Sequence, residues 1–309
     1  MSNSILDTVT GFAVIASAIL VGYLIGRINL LGETARPVLT RLTFFVLNPL
    51  LIFVVLAEAD VRLLFSALLP ISALAVVVVV AAYALVARVA WRRSIGETLI
   101  GALAAAQVNS NNIGIPISYY ILGNAAYPVA VVLLQQLVMT PISIAILEHA
   151  TTGRGALKKS VLRTVTNPVI IASILGTTVS LSGLSLGNAL EPARFLADAC
   201  LPILLMSFGI SLHGQRLLAS PGRRRDIVLA SALKLVAMPL VAWAIAEYWF
   251  DVTSSDVLAV TVLAALPTAQ LVFMYSQHYA IGQDIARETV LVTTVGCAVV
   301  IPVVLLLLH

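Results

Sequence analysis

Between Gln107 and Pro116 the chain reads Gln107-Val-Asn109-Ser110-Asn111-Asn112-Ile-Gly114-Ile-Pro116, with four consecutive polar residues inside an otherwise apolar stretch. A second interruption, Pro267-Thr268-Ala269-Gln270, ends the apolar run from Val257 to Leu266, with Tyr275, Gln277 and His278 beyond it. Amides and hydroxyls of this kind donate and accept hydrogen bonds, so the chemistry they suit is reversible binding. Pro116 lacks an N–H and disfavours helix at Ile115, and Gly114 loosens the same turn, so a helix break is expected at Gly114-Ile115-Pro116. Pro267 predicts a second break. Past each break a half-helix begins with free N–H groups and a partial positive charge. Two such ends facing each other would favour an anion such as a carboxylate. Asn109, Asn112 and Gln270 can add neutral donors, with Ser110 and Tyr275 close in sequence. Neither break contains Asp or Glu, which a cation site would more often have.

The elements that must hold these residues are set by composition. Of 309 residues 60% are hydrophobic and only 10% charged, with a mean hydropathy of +1.05; soluble domains carry about 25% charge. The apolar excess runs along the whole chain, which excludes a cytosolic enzyme, a secreted disulfide domain and a nucleic-acid binder. The basic pI, about 9.3, comes from arginines between apolar runs. An all-α integral membrane protein remains, since runs such as Val76 to Ala82 lack the alternation of transmembrane strands. Ten helical spans are expected at 8–27, 37–57, 63–87, 97–121, 126–147, 166–183, 192–212, 227–249, 256–279 and 286–308. The first has no Lys or Arg ahead of it, unlike a cleaved signal peptide. Cys200 and Cys297 lie in apolar runs and are expected as buried thiols.

Of the 18 Lys and Arg, 15 fall in alternate connections, including Arg88, Arg92 and Arg93, Lys158 and Lys159, and Arg223 to Arg225. The positive-inside rule makes those connections cytoplasmic and puts both termini on the outer side of the cell membrane. Five spans on either side of residues 150–165 invite a search for duplication. Arg41 precedes Pro49 by eight residues, as Arg194 precedes Pro202. Ser66-Ala67-Leu68 matches Ser231-Ala232-Leu233, Leu103-Ala104-Ala105 matches Leu263-Ala264-Ala265, and Pro141 matches Pro302, in common order. An odd number of spans per half makes the halves, 1–149 and 166–309, inverted repeats, with 150–165 as a short cytoplasmic linker. Interrupted helices at matching positions, spans four and nine, are the best sequence pointer to a transporter's site.

Two further residues carry charge into apolar runs. Lys234, about eight residues into span eight, costs about 2.5–3.5 kcal/mol on insertion scales; it is either a charge for the anion or coupling, or a side chain that snorkels to the cytoplasm. Asp198 is either an i,i+4 partner of Arg194 or a proton-coupling group. Gln135 and Gln136, about 100° apart on a helix, are expected mainly to bond between helices.

At the two breaks the sequence resembles the auxin efflux carrier family, which includes plant PIN transporters and bacterial organic-acid carriers within the bile, arsenite and riboflavin transporter superfamily. Asn109 followed by Gly114-Ile115-Pro116 is similar to the family's first crossover. Ala264-Ala265-Leu266-Pro267, with Phe273 and Tyr279, is similar to its second. The resemblance implies ten helices in two inverted five-helix repeats, with helices four and nine broken and crossing. It implies a scaffold of helices 1, 2, 6 and 7 with a dimer contact, a transport domain of helices 3–5 and 8–10, and elevator-type alternating access. It also implies that Asn109 meets a substrate carboxylate while Pro116 and Pro267 hold the crossing. The expected function is secondary transport of small organic anions, auxin-like indole acids or dicarboxylates, by a membrane-embedded homodimer without a cofactor. Coupling to H⁺ or Na⁺ stays open. A receptor that binds the same ligand without moving it, or a Na⁺ symporter of the same fold, are the alternatives. The sequence contains no Gly-x-Ser-x-Gly, His-Glu-x-x-His or Walker-type loop that would suggest an enzyme or a pump.

Overall fold

The computed structural model describes residues 2–32, 34–58, 67–124, 127–152, 168–184, 186–213 and 221–308. Its helices in chain order are α1 Ser2–Arg27, α2 Ala35–Leu42, α3 Asn48–Glu58, α4 Leu68–Leu85, α5 Ile95–Ala106, α6 Ile115–Tyr120, α7 Tyr127–Leu133 and α8 Thr140–Thr152. They continue with α9 Pro168–Ser182, α10 Glu191–Asp198, α11 Cys200–Leu212, α12 Arg224–Ala232, α13 Met238–Trp249, α14 Ser254–Ala264, α15 Gln270–Tyr279 and α16 Gln283–Leu308. Wide π-helical turns interrupt or join several of them, at Thr43–Leu47, Val86–Ala90, Ser110–Gly114, Leu134–Met139 and Leu233–Ala237. Among the described residues, three helices are long and apolar enough to cross a bilayer: Leu68–Ala90, Arg224–Trp249 and Gln283–Leu308. The arginines and lysines at 62, 154, 158, 159, 163 and 216, and most of the linker, lie outside the described residues.

The surface is that of a protein solvated by hydrocarbon. Phe195, Trp249 and Leu306 are 79%, 73% and 77% exposed, and large apolar side chains stand out along α4, α9 and α16 as well. Water would penalise so much contiguous apolar area, whereas lipid does not. Cys200 and Cys297 are buried and free.

The chain divides into two compact units. The first comprises Met1–Phe65, Asn111–Ala130 and Arg163–Gln215. In it α1 packs along α11 and α3 along α9. The hydrophobic effect does not drive helices together in lipid, so close backbone approach must, and small residues permit it. A Cβ on Gly22 would overlap the backbone of Met206, and one on Gly209 would overlap Ile19. One on Gly176 would stand 2.7 Å from the Phe53 carbonyl oxygen. The Arg194 guanidinium bonds to Glu58 and lies 3.6 Å from Glu191. The i,i+4 pairing of Arg194 with Asp198 is therefore not formed: Glu58 of α3 captures the guanidinium, and Asp198 is exposed.

The second unit comprises Ser66–Ser110, Val131–Leu162 and Arg216–His309. Here α4 packs on α5 and α13, α13 on α14, and α16 on α5, α12, α14 and α15. Its arginine-rich end is tied by a bidentate pair, with Arg93 Nε 3.0 Å and Nη2 2.6 Å from the Asp226 carboxylate. Asp226 is fully buried and also receives the Tyr83 hydroxyl at 3.4 Å. These hydrogen bonds hold the Arg93 guanidinium above its ordinary pKa. Arg223 pairs with Glu97 beside them.

Candidate functional site

Two half-helices of the second unit, α5 and α14, are built alike. Each starts on a hydroxyl that accepts a backbone N–H: Ser94 Oγ from Glu97 at 3.2 Å, and Thr253 Oγ1 from Asp256 at 3.2 Å. Glu97 returns the contact to Ser94 N at 3.4 Å, completing a capping box. They run for 12 and 11 residues; α5 ends one residue past its Leu-Ala-Ala, at Ala106, and α14 ends within its own, at Ala264, with Ala265 still in a helical conformation. Both then lead into the segments that cross.

These segments pair with each other. Val108 and Thr268 form an antiparallel bridge. Asn109 N donates to Pro267 O at 2.8 Å, and Ala269 N donates to Gln107 O at 3.0 Å. Residues 107 and 267, and 109 and 269, are each 160 apart, as are Ala104 and Ala264. Exchanging the two halves therefore turns one hydrogen bond into the other. This pairing satisfies backbone groups that would otherwise be stranded in an apolar interior.

The last turns of the half-helices also need donors, because four carbonyls at a helix end lack intrahelical partners. Ala104 O accepts the Thr268 hydroxyl at 2.6 Å. Thr268 N in turn donates to Thr293 Oγ1 at 3.0 Å, and that hydroxyl back-bonds to Thr289 O at 2.7 Å. The equivalent Ala264 O accepts the Lys234 ammonium at 2.5 Å, with Met238 Sδ at 3.2 Å from the same nitrogen. Lys234 is 0% exposed, so it does not snorkel: its nitrogen is drawn to a helix end inside the unit.

The expected site residues distribute as follows. The first break lies at Gln107 to Asn109, where Gln107 is extended (φ −76°, ψ 126°), and not at Gly114 to Pro116. Gly114 and Pro116 are helical: Gly114 closes the π turn Ser110–Gly114, and α6 continues from it directly with Pro116 as its second residue, so the widened turn stands just ahead of the missing N–H. Pro267 is at the bridge itself. Ser110 is buried and accepts from Gln135 Nε2 at 3.1 Å, so Gln135 bonds between helices. Asn109 is buried at 4% exposure. Gln270 begins α15 and is half-buried. The Tyr275 hydroxyl bonds to Thr140 Oγ1 at 2.9 Å. Asn112 lies in the π turn, and its side chain is outside the described residues.

Gln107 is the residue that sequence reasoning passed over as an individual candidate. Its side chain is fully buried, and neither amide atom has a hydrogen-bond partner among the described residues. The available signal was its register, three residues past Ala104, as Pro267 is three past Ala264.

Beside the bridge is a small cavity of about 10 Å³, lined by Ser72, Ala106, Val108, Gln135, Met238 and Ala264 among others; that is room for about one water. Its wall is mostly aliphatic with a few polar groups.

Paired helix breaks, a satisfied extended crossing and an adjacent cavity inside an apolar bundle suit solute binding within a membrane. Comparison with known proteins agrees: residues 8–305 match the family described as "Membrane transport protein". The chain belongs to this family, that of the auxin efflux carriers. Membership makes it a membrane-embedded transporter. A relative in the family, an "Uncharacterized transporter" of Methanothermobacter thermautotrophicus, is 28% identical over 288 residues, covering 92% of this chain and 93% of its own. A "Putative malonate transporter" of Rhizobium meliloti is 28% identical over 213 residues, covering 66% of this chain and 65% of its own.

Proposed function

We propose that this membrane transport family protein is a secondary carrier of small organic anions, with dicarboxylates such as malonate in the substrate class. It binds them at the crossover of the two broken helices. The reciprocal pair Asn109 N to Pro267 O and Ala269 N to Gln107 O carries this reading. It supports a duplicated, inverted ten-span architecture, because exchange of the halves maps one bond onto the other. A relative's name, "Putative malonate transporter", supports the substrate class, as does the absence of Asp and Glu from both breaks.

In this reading helices 3–5 and 8–10 form the moving transport domain, and helices 1, 2, 6 and 7 form the scaffold through which two copies pair. The Val108–Thr268 bridge, the cavity and Lys234 all lie in the second compact unit, which supports this reading. The asymmetry of basic residues supports a cell-membrane orientation with both termini outside. Within the site Asn109 holds the substrate carboxylate, with Gln107, Ser110 and Gln270 completing the polar set.

The test is counterflow of labelled malonate and of a labelled indole acid into proteoliposomes. Wild-type uptake that exceeds empty liposomes and falls in Asn109→Ala is the expected result. Uptake of neither anion, or binding without flux, would overturn it.

A further inference from the structure

The Lys234 ammonium does more than its contact requires. Ala104 O and Ala264 O occupy the same register of their half-helices, and both need a donor. A neutral hydroxyl, that of Thr268, suffices for the first at 2.6 Å. The second is given a lysine Nζ at 2.5 Å, though a hydroxyl would also satisfy the carbonyl. The Ser-Ala-Leu match aligns Lys234 with Leu69, so the charge has no counterpart in the first half. No carboxylate forms an ion pair with Lys234 among the described residues. A fully buried cation without a counter-ion in an apolar bundle is costly, and such groups mark substrate or ion pathways.

The surroundings say what the missing counter-ion is. Both groups that touch the ammonium, Ala264 O and Met238 Sδ, belong to residues that line the cavity. The charge therefore stands directly behind the cavity wall. Lys234 also lies in the π turn Leu233–Ala237, and Gln135, on the same cavity, lies in the π turn Leu134–Met139. Such turns re-aim side chains and collect at functional sites.

We propose that Lys234 is the specificity-determining cation of the cavity: its ammonium turns from the Ala264 carbonyl to a carboxylate of the bound substrate, selecting anions over neutral analogues. A carboxylate offers the ammonium a full opposite charge, where the Ala264 carbonyl offers only a dipole. The exchange therefore favours the loaded state only when the solute is an anion. A dicarboxylate matches this arrangement in charge once the small cavity opens around it, since one carboxylate can meet Lys234 while the other meets the donors of the crossover. The inference rests on the organic-anion reading above, and it names the residue that reads the charge.

The experiment is thermal-shift and equilibrium binding of the purified full chain with malonate, monocarboxylic acids and the neutral diamide malonamide. It compares wild type with Lys234→Gln, which keeps a donor without charge, and Lys234→Arg, which keeps the charge. Wild type should bind malonate and not malonamide. Lys234→Gln should lose at least tenfold in malonate affinity, while Lys234→Arg retains most of it. If Lys234→Gln binds malonate as wild type does, or Lys234→Arg loses as much as Lys234→Gln, the lysine is a structural staple and the inference falls. Should Lys234→Gln fail to fold, wild type alone decides: equal binding of malonate and malonamide overturns the inference. Wild type that responds to no anion overturns both this inference and the organic-anion reading, whereas a responding wild type with an indifferent Lys234→Gln overturns this one alone.

Discussion

The ends of α5 and α14 are built on the same Leu-Ala-Ala and meet in the same bridge, yet they are completed differently. The first end is finished by a chain of neutral groups, Thr268 to Ala104 and Thr293 to Thr268. The second is finished by Lys234. The first half supplies Asn109 where the second has Ala269, and Gly101 where the second has Thr261. The two ends share a backbone plan, and in the proposed function what differs between them is where a solute is distinguished. Symmetry holds the crossing together, and departures from symmetry equip it.

Exchanging residues between the halves breaks this comparison most severely at Gly101. A Cβ there would overlap the phenol of the fully buried Tyr83, whose hydroxyl reaches Asp226. Gly101→Thr, which copies the second half, should abolish monodisperse protein in size-exclusion chromatography, because overpacking this tight cannot relax. The reverse change, Thr261→Gly, deletes a buried side chain and adds glycine's backbone freedom; it should cost about 1–3 kcal/mol, read as a fall in melting temperature with the protein still folded.

Asn109→Ala makes the first half resemble the second at its distinguishing position. A hydrogen bond to a charged group is worth about 1.5–3 kcal/mol, so the apparent malonate affinity should drop roughly 10- to 150-fold in the proteoliposome assay. Thr268→Val should leave Ala104 O without its donor and lower stability by about 1–3 kcal/mol in a denaturant titration, while Thr268→Ser stays near wild type. The smallest effect is expected at Gln135→Leu. It removes the 3.1 Å bond to Ser110, at a cost of about 0.5–1.5 kcal/mol by the same titration.

Much of this arrangement is legible in the residues themselves. The polar run after Gln107 and the Pro267 segment mark where two helices cannot continue, and the repeated Leu-Ala-Ala aligns them. The break before Asn109 is displaced from Gly114-Ile115-Pro116 because the extended backbone of Gln107 depends on a strand-like partner 160 residues away. No local propensity encodes that pairing, and a widened turn ahead of a proline accommodates its missing N–H as a break would. Lys234 was recognisable as a misplaced charge, but its acceptor is a carbonyl 30 residues on, across a helix interface. Asp198 shows the opposite case: i,i+4 spacing suggested a partner for Arg194, and the guanidinium instead reaches Glu58, 136 residues away. Spacing along a helix proposes contacts, and packing between helices chooses among them.

The Val108–Thr268 bridge has a mechanical consequence. Two amides, Asn109 N and Ala269 N, point in opposite directions into each other's segment, so neither can be released unless the whole crossing comes apart. They act as one rivet, and any displacement of the second unit must carry the rivet along intact. Their deuterium exchange should accordingly be slow and governed by a single opening free energy. A ligand that slows one should slow the other by the same factor.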